Sequence, residues 1–270
     1  MLPNRVVSVV LLITLSAFML SACAKRPPKS DPIAYAQYKE ANDPIEPFNR
    51  AVFNVNSKAD KYLIRPLAVG YRRYIPRPIR MGVRNFLRNL NTPFTFGNDL
   101  LQGEFKRASV SLRRFIANTT AGFGGFVDIA GREGLEFHSE DLGQTFAVWG
   151  IGPGPYVMLP LFGPSNVRDA VAQVASGFAD PVTQGLDAAN IIALQIGRNV
   201  LQVVDVRERV LDQLDQLYAQ SDDNYVAVRS AYRQNRKFAI SNGRFVPPDE
   251  DDLFGDETFP DDGFGLPPGN

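Results

Sequence analysis

The sequence predicts an all-α protein with irregular stretches rich in glycine and proline between its helices. Apolar residues recur at spacings near 3.6 in seven segments, which is the pattern of helices with one apolar face. Proline and glycine separate these segments, and the period-2 alternation of a half-buried strand is scarce. The part predicted to fold, residues 42–246, is long enough for one domain.

The first three predicted helices are Pro47–Leu63, Pro76–Leu90 and Glu104–Thr119. In each, residues three or four positions apart share one face. In chain order these are Phe48, Val52, Val55, Ala59 and Leu63, then Ile79, Val83, Phe86, Leu87 and Leu90, then Phe105, Ala108, Leu112, Phe115, Ile116 and Thr119.

Four more helices are predicted toward the C-terminus. They are Asn166–Ala179, Ala189–Val204, Arg209–Gln220 and Asp222–Ser241. Ser165 precedes the first of them and is predicted to be its N-cap, because a serine side chain can accept a hydrogen bond from the first turn.

The N-terminus has the pattern of a lipoprotein signal peptide over residues 1–22. Arg5 gives a positive start, and Val6–Leu20 is an uncharged run shorter than the ~20 residues of a spanning helix. Small residues then precede Cys23, the only cysteine of the chain, where a thiol would receive diacylglycerol. The alternative is an ordinary secretory signal with a chance cysteine. We predict cleavage before Cys23, lipids on that cysteine, and a Cys23→Ala protein that folds yet fails.

The residue after Cys23 indicates the membrane. Ala24 stands where an inner-membrane lipoprotein usually has aspartate, so we expect an outer-membrane lipoprotein facing the periplasm. Residues 23–41 are predicted to be a tether.

Charge is unevenly distributed after Cys23. Residues 24–246 hold 28 Lys and Arg against 21 Asp and Glu, a net of +7, which suits anionic lipid or acidic protein partners. Residues 247–270 hold eight acidic residues and no basic one, and are predicted to be a disordered tail.

The sequence lacks the usual signatures of an enzyme. His138 is the only histidine and lies in a polar context, and no G-x-S-x-G occurs. A zinc site would have His138 and carboxylates alone, and no nucleotide-binding glycine motif is present. We therefore predict no catalytic residue, metal or cofactor. Nucleic acid is not an expected partner of a periplasmic protein.

The longest uncharged stretch after the signal is Leu142–Val167, and its prolines and glycines rule out a spanning helix. It is either a buried irregular segment or hairpin, or backbone that lines a cavity or dips into lipid. The candidate pore or membrane-facing residues within it are Trp149, Gly150, Gly152, Gly154, Tyr156, Leu159 and Phe162. The three glycines are candidates for a hinge.

Four arginines form a candidate basic face on the second predicted helix. Arg77, Arg80, Arg84 and Arg88 follow at intervals of three and four residues, opposite the apolar face. Such a face could contact lipid phosphates. The alternative is a solvated face of a helix that packs on the core.

Many short motifs occur together over about 130 residues. In chain order they are Asn42–Arg50 (NDPIEPFNR), Phe53, Asn56, Asp60, Arg65-Pro66, Asn85-Phe86, Asn89-Leu90, Pro93, Asn98, Leu101–Gly103, Arg114-Phe115, Asn118-Thr119, Gly122–Asp128, Gly143–Thr145, Gly150, Gly152, Gly154–Tyr156, Leu159-Pro160, Gly163–Ser165 and Arg168-Asp169. Together with the lipobox, this pattern resembles the MlaA (VacJ-like) family of outer-membrane phospholipid-transport lipoproteins.

The resemblance implies a helical ring partly embedded in the periplasmic leaflet, with an amphipathic pore that takes mislocalised phospholipids from the outer leaflet. It further implies transfer to a periplasmic phospholipid-binding carrier for return to the inner membrane, association with an outer-membrane porin trimer, and no enzymatic activity. On this basis Leu142–Val167 is expected at the pore wall or the membrane-facing rim. Two alternatives remain: a porin-associated scaffold without transport activity, and a lipid hydrolase that uses His138.

Overall fold

A computed structural model describes residues 28, 30, 38, 41–189 and 191–244. The predicted signal peptide, Cys23 and the acidic tail lie outside the described residues, as does most of the predicted tether.

The described residues are largely helical, which confirms the all-α prediction. The helices are α1 Glu46–Ala59, a π-helix Asp60–Ile64, α2 Arg65–Tyr74, α3 Arg77–Leu101, α4 Phe105–Thr120, α5 Ile129–Arg132, α6 Leu142–Val148, α7 Val167–Ala179, α8 Pro181–Ala188, α9 Ile192–Arg209, α10 Leu211–Gln220 and α11 Asn224–Ile240. The two strands, β1 Tyr156–Leu159 and β2 Gly163–Asn166, form one antiparallel hairpin with Tyr156 opposite Asn166 and Leu159 opposite Gly163.

Two asparagines on α1 hold the backbone of this hairpin. Asn49 donates to the carbonyl of Tyr156 (3.1 Å) and accepts from the amide of Met158 (2.9 Å). Asn56 donates to the carbonyl of Leu159 (2.9 Å) and accepts from the amide of Leu161 (2.8 Å). Seven helical residues advance about 10.5 Å, and three residues of extended chain advance about 10 Å. The two asparagines therefore match the spacing of the hairpin.

The hairpin and the last helix form a small apolar core with α1. Tyr156, Met158 and Tyr225 are buried together, and Val52 and Phe53 of α1 pack against them. Ion pairs make the same connection, because Arg50 bonds Asp223 at 2.7 Å and Arg229 bonds Asp43 at 2.8 Å. The chain thus brings its last described helix back to its first.

The second predicted helix was too short. We expected it to end at Leu90, before Pro93, but α3 continues to Leu101. Beyond Leu90 the buried positions of α3 are polar, among them Thr95, Asn98 and Asp99. An apolar periodicity cannot detect a helix whose buried face is polar. The same reason applies to α9, which was expected to end at Val204 and continues through buried Asp205, Arg207 and Glu208.

Three other features of the helices differ from the sequence-based expectations. The chain stays helical after Leu63 through the π-helix and α2, since Pro66 lies in the first turn of α2, where its missing N–H costs no helical bond. The short helix α8 was not predicted. The N-cap of α7 is Asn166 rather than Ser165, because the Asn166 side chain accepts from the amide of Asp169 at 2.9 Å.

The stretch Leu142–Val167 is more regular than we expected. It begins as α6 and ends as the hairpin, and this does not decide whether it also lines a cavity or contacts lipid. An irregular loop joins the two parts from Trp149 to Pro155. Most of the prolines and glycines of the stretch lie in this joining loop or at the hairpin turn.

Candidate functional site

The described residues have a polar interior and an apolar surface. Nineteen of their polar or charged residues are buried against nine apolar ones, whereas 35 large apolar residues are exposed. Helix α4 illustrates the arrangement, because Ser111, Arg114 and Asn118 are buried while Phe105 is 71% and Ile116 is 54% exposed. A monomer in water rarely has this distribution, which favours a surface that contacts lipid or a partner protein.

Charged side chains of the interior connect helices that are distant in sequence. The buried carboxylate of Glu208 on α9 accepts from Arg72 of α2 (3.1 Å), from Arg84 of α3 (3.0 Å) and from Arg80 of α3. Asp205, one turn earlier, faces Arg84 at 3.4 Å. Because each charge has a partner of opposite sign, the cost of burying it is offset.

A second charged group lies between α6, α7 and α11. Arg236 bonds Asp141 and Asp169, each at 2.7 Å, and the Tyr232 hydroxyl donates to Asp169 at 2.8 Å. Burial alone would raise the pKa of Asp169, but hydrogen bonds from Arg168 and Arg236 outweigh it and hold the pKa below its ordinary value. Burial would lower the pKa of Arg236, yet the hydrogen bond and charge of Asp141 and the Asp169 carboxylate raise it. Both groups are therefore ionised at neutral pH.

Two neighbouring cavities open between the helices that carry these charges. The larger has a volume of about 330 Å³ and lies between α6, α7 and α11, where Asp169, Ser176 and Arg236 line it. The smaller, about 180 Å³, lies between α3 and α9, with Arg88 and Arg209 in its wall. Asn91 and Ser139 line both, so the two cavities are neighbours.

The glycines of the candidate pore segment are in large part held in place. Gly150 has φ +87° and ends α6, with its amide donating to the Ala147 carbonyl at 2.9 Å. Gly154 has φ +67°, and its carbonyl accepts from Asn42 at 2.6 Å. Gly150 and Gly152 both have open space where a side chain would begin, and Gly152 alone of the three has a φ outside the left-handed region. A hinge at these glycines stays a prediction.

The remaining residues of the candidate segment divide between surface and core. Trp149 and Phe162 are exposed, Phe162 by 72%, and the Trp149 indole donates to the Leu101 carbonyl at 2.9 Å. Tyr156 is buried in the apolar core, where burial raises its pKa. Leu159 is half-buried next to the hairpin turn. Trp149 and Phe162 are therefore surface residues, whereas Tyr156 belongs to the apolar core. A membrane-facing role for Trp149 and Phe162 stays a prediction.

The candidate basic face is divided in the same way. Arg77 is exposed. Arg80 and Arg84 point inward to the carboxylates of α9, so they are not free to bind lipid phosphates. Arg88 lies over the Phe137 ring at 4.4 Å and lines the smaller cavity. The four arginines therefore do not form one lipid-facing stripe.

His138 lies beside Ser111 and Asp99, the residue types of a hydrolase triad. Its Nε2 atom is 3.1 Å from the Ser111 hydroxyl and 3.0 Å from Asp99, and Ser111 donates directly to Asp99 at 2.6 Å. In a catalytic triad the histidine contacts the serine through one ring nitrogen and the acid through the other. Since one nitrogen faces both and the serine is buried, this is a structural cluster.

Among the described residues no helix is long and apolar enough to cross a membrane. The same residues include no group of three or more histidine, cysteine or acidic side chains placed to hold a metal ion.

Sequence reasoning missed Asn49, Asn56, Glu208 and Arg236. The two asparagines occur in motifs of the family pattern and are seven residues apart, which places them on one helix face. That spacing was a usable signal. Glu208 and Arg236 are charged residues on otherwise ordinary helices, and their burial follows only from the packing of distant helices.

A helical body with a charged interior and an apolar surface defines the class of membrane-associated α-helical proteins. A family model for the MlaA lipoprotein matches residues 41–239, and the chain belongs to that family. The Escherichia coli (strain K12) intermembrane phospholipid transport system lipoprotein MlaA is 38% identical over 210 residues, 76% of this chain and 81% of that protein. The Haemophilus influenzae protein of the same name is 32% identical over 252 residues, 92% of this chain and 94% of that protein.

A solved structure gives the same result for the fold. It comes from work on the structural basis for maintenance of bacterial outer membrane lipid asymmetry. The superposition has a TM-score of 0.65 at 35% identity and covers 73% of this chain and 98% of the other. The helical architecture described above is thus that of a solved protein.

Proposed function

We propose that this chain is an outer-membrane lipoprotein that maintains lipid asymmetry. It removes mislocalised phospholipids from the outer leaflet through a polar path in its own body. It then passes them to a periplasmic lipid carrier for return to the inner membrane. The names of its relatives, which are lipoproteins of an intermembrane phospholipid transport system, support this assignment.

The observation that carries the proposal is the apolar surface around a charged interior. Lipid tails solvate large apolar side chains such as Phe105, Phe123 and Phe178, each more than 70% exposed, at no hydrophobic cost. Charges inside a bilayer are tolerated when they are paired or line a polar cavity, and the interior arginines meet carboxylates. A body of this kind can be embedded in a leaflet without any spanning helix.

The neighbouring cavities support a path for the headgroup. They share Asn91 and Ser139, and charged and polar side chains contribute to both walls beside apolar ones. A phospholipid headgroup crossing a low-dielectric layer needs such a wall, because an unpaired charge is costly there. The exposed apolar side chains provide a surface along which acyl chains can remain in lipid.

The predicted anchor and partners fit this function. Lipids on Cys23 would hold the chain at the periplasmic leaflet and orient it, since several acyl chains give a stable attachment. A porin trimer would be a second neighbour in the membrane, and the carrier would approach from the periplasm. The alternative is a porin-associated scaffold without transport.

The two functions differ in what happens when the larger cavity is filled. Ser176 lines that cavity on α7, while Val174 of the same helix is 67% exposed. We would express Ser176→Trp and Val174→Trp in a strain that lacks its own family member. Outer-leaflet phosphatidylethanolamine would be labelled with an amine reagent that does not cross the membrane. Equal amounts of each protein in the outer-membrane fraction are required.

Transport predicts that the unaltered chain and Val174→Trp lower the surface label, whereas Ser176→Trp does not. Full activity of Ser176→Trp would contradict a path through this cavity. If the strain without the protein shows normal surface lipid but altered porin abundance, the scaffold is correct. Accumulation of lyso-lipid that disappears in His138→Gln would instead indicate a hydrolase.

A further inference from the structure

The smaller cavity has an excess of positive charge. Three guanidinium groups line it, those of Arg84, Arg88 and Arg209, against the one carboxylate of Asp205 among its lining residues. Asp205 is shared, lying 3.4 Å from Arg84 and 3.4 Å from Arg209. Glu208 adds a second carboxylate on the side of Arg84. Even with Glu208 counted, three positive charges face two negative ones.

Arg88 is the least compensated of these arginines. It is half-buried, its guanidinium lies over the Phe137 ring at 4.4 Å, and among the described residues no carboxylate oxygen is within ion-pairing distance of it. Burial lowers its pKa, and the charges of Arg209 and Arg84 lower it further, against a weaker opposing effect of Asp205. The guanidinium remains charged at any physiological pH. Its surroundings therefore favour an additional anion.

We propose that Arg88 and Arg209 form a binding site for the phosphodiester group of a glycerophospholipid. A guanidinium offers parallel N–H donors that match two phosphate oxygens, which makes arginine well suited to this group. The site lies at one end of the polar path, and this assignment rests on the proposed function. It adds the chemical group that the path recognises and the residues that hold it.

The neighbouring cavity has no such excess of positive charge. Glu140, Asp141 and Asp169 line the larger cavity together with one arginine, Arg236. Arg107 pairs with Glu140 and Arg168 pairs with Asp169, so three carboxylates there face three guanidinium groups. Of the two cavities, the smaller one is therefore the one that attracts a phosphodiester.

The test uses the full-length lipidated protein held in amphipol and titration calorimetry. The probes are dihexanoyl phosphatidylglycerol, dihexanoylglycerol, which lacks the phosphate, and inorganic phosphate. We expect Arg88→Gln and Arg209→Gln each to weaken binding of the phospholipid by about tenfold or more, the loss of a charge-assisted hydrogen bond. Arg88→Lys keeps the positive charge but lacks the parallel N–H donors of a guanidinium, so its affinity for the phospholipid should lie between that of Arg88→Gln and that of the unaltered protein.

The matched control is Arg113→Gln, which removes an exposed arginine of α4 that lines neither cavity. It should leave the dissociation constant unchanged, and none of the variants should alter binding of dihexanoylglycerol. If Arg88→Gln and Arg209→Gln both bind the phospholipid as tightly as the unaltered protein, this site is wrong while the proposed function stands. If the unaltered protein binds neither lipid, the proposed function fails as well. Equal affinity for inorganic phosphate and the phospholipid would overturn the lipid site in favour of a free-phosphate site.

Discussion

Replacing Asn49 by alanine separates the hairpin from α1 at its most buried point. Asn49 is fully buried and makes three hydrogen bonds, to the Asp43 carboxylate (2.7 Å), the Tyr156 carbonyl (3.1 Å) and the Met158 amide (2.9 Å). Asp43 keeps its partners Tyr225 and Arg229 in the variant. The carbonyl of Tyr156 and the amide of Met158 lose their hydrogen-bond partner in the variant.

The expected cost follows from these two orphaned groups. A buried polar group without a partner costs about 1–3 kcal/mol, so Asn49→Ala should lower the free energy of unfolding by about 3 kcal/mol. Asn56→Ala is the matched control, because it breaks the same kind of double contact where Leu161 is exposed. Solvent can replace those bonds, and the cost should be about 1 kcal/mol.

Thermal unfolding in detergent measures both values. At roughly 2–4 °C per kcal/mol for a chain of this size, the midpoint should fall by about 6–12 °C for Asn49→Ala and by about 2–4 °C for Asn56→Ala. Hydrogen exchange at the Met158 amide should accelerate only in the first variant, and exchange at the Leu161 amide only in the second. Equal shifts for the two variants would refute the reasoning, since burial is what distinguishes them.

Three further predictions concern charge and the anchor. Because the pKa of Asp169 is depressed, the ionised carboxylate stabilises the fold at neutral pH, and this contribution is lost as the pH falls below about 4. The melting temperature of the unaltered chain should therefore fall between about pH 5 and pH 3, and that of Asp169→Asn should fall less. Glu208→Gln should lower the free energy of unfolding by about 3 kcal/mol, as expected when a buried ion pair loses one charge. Asp212→Asn should cost less than about 1 kcal/mol, because Asp212 is exposed and pairs with a single arginine, and urea titration compares the two. Cys23→Ala should keep the helical circular dichroism of the body but fail to lower the surface phospholipid label, and a fully active variant would contradict the assigned anchor.

The sequence predicted the helices better than it predicted where they face. Pro47–Leu63, Glu104–Thr119 and Asp222–Ser241 correspond to α1 with the π-helix, α4 and α11. Their boundaries follow from proline, glycine and capping residues, which act locally. The contacts that hold the interior together join distant residues: Asn49 and Met158 are 109 positions apart, and Arg236 and Asp169 are 67. Such pairs depend on the packing of several helices and have no local signature.

The periodicity of apolar residues does not predict how the amphipathic helices are oriented. A 3.6-residue repeat identifies an apolar face, but the repeat is the same whether that face meets a protein core or lipid. On α4 the repeat marks Phe105, Leu112 and Ile116, and all three are exposed. On α3 it marks Ile79, which is exposed, while the arginines of the opposite face reach inward to Asp205 and Glu208. The charged residues therefore help to predict the orientation. Arginines on one helix and carboxylates on another can form ion pairs inside the body, and the apolar faces of both helices are then available to contact the membrane. The sequence-based expectation placed these arginines on the exterior of the helix, and the pairing of Arg80 and Arg84 with carboxylates of α9 corrects it.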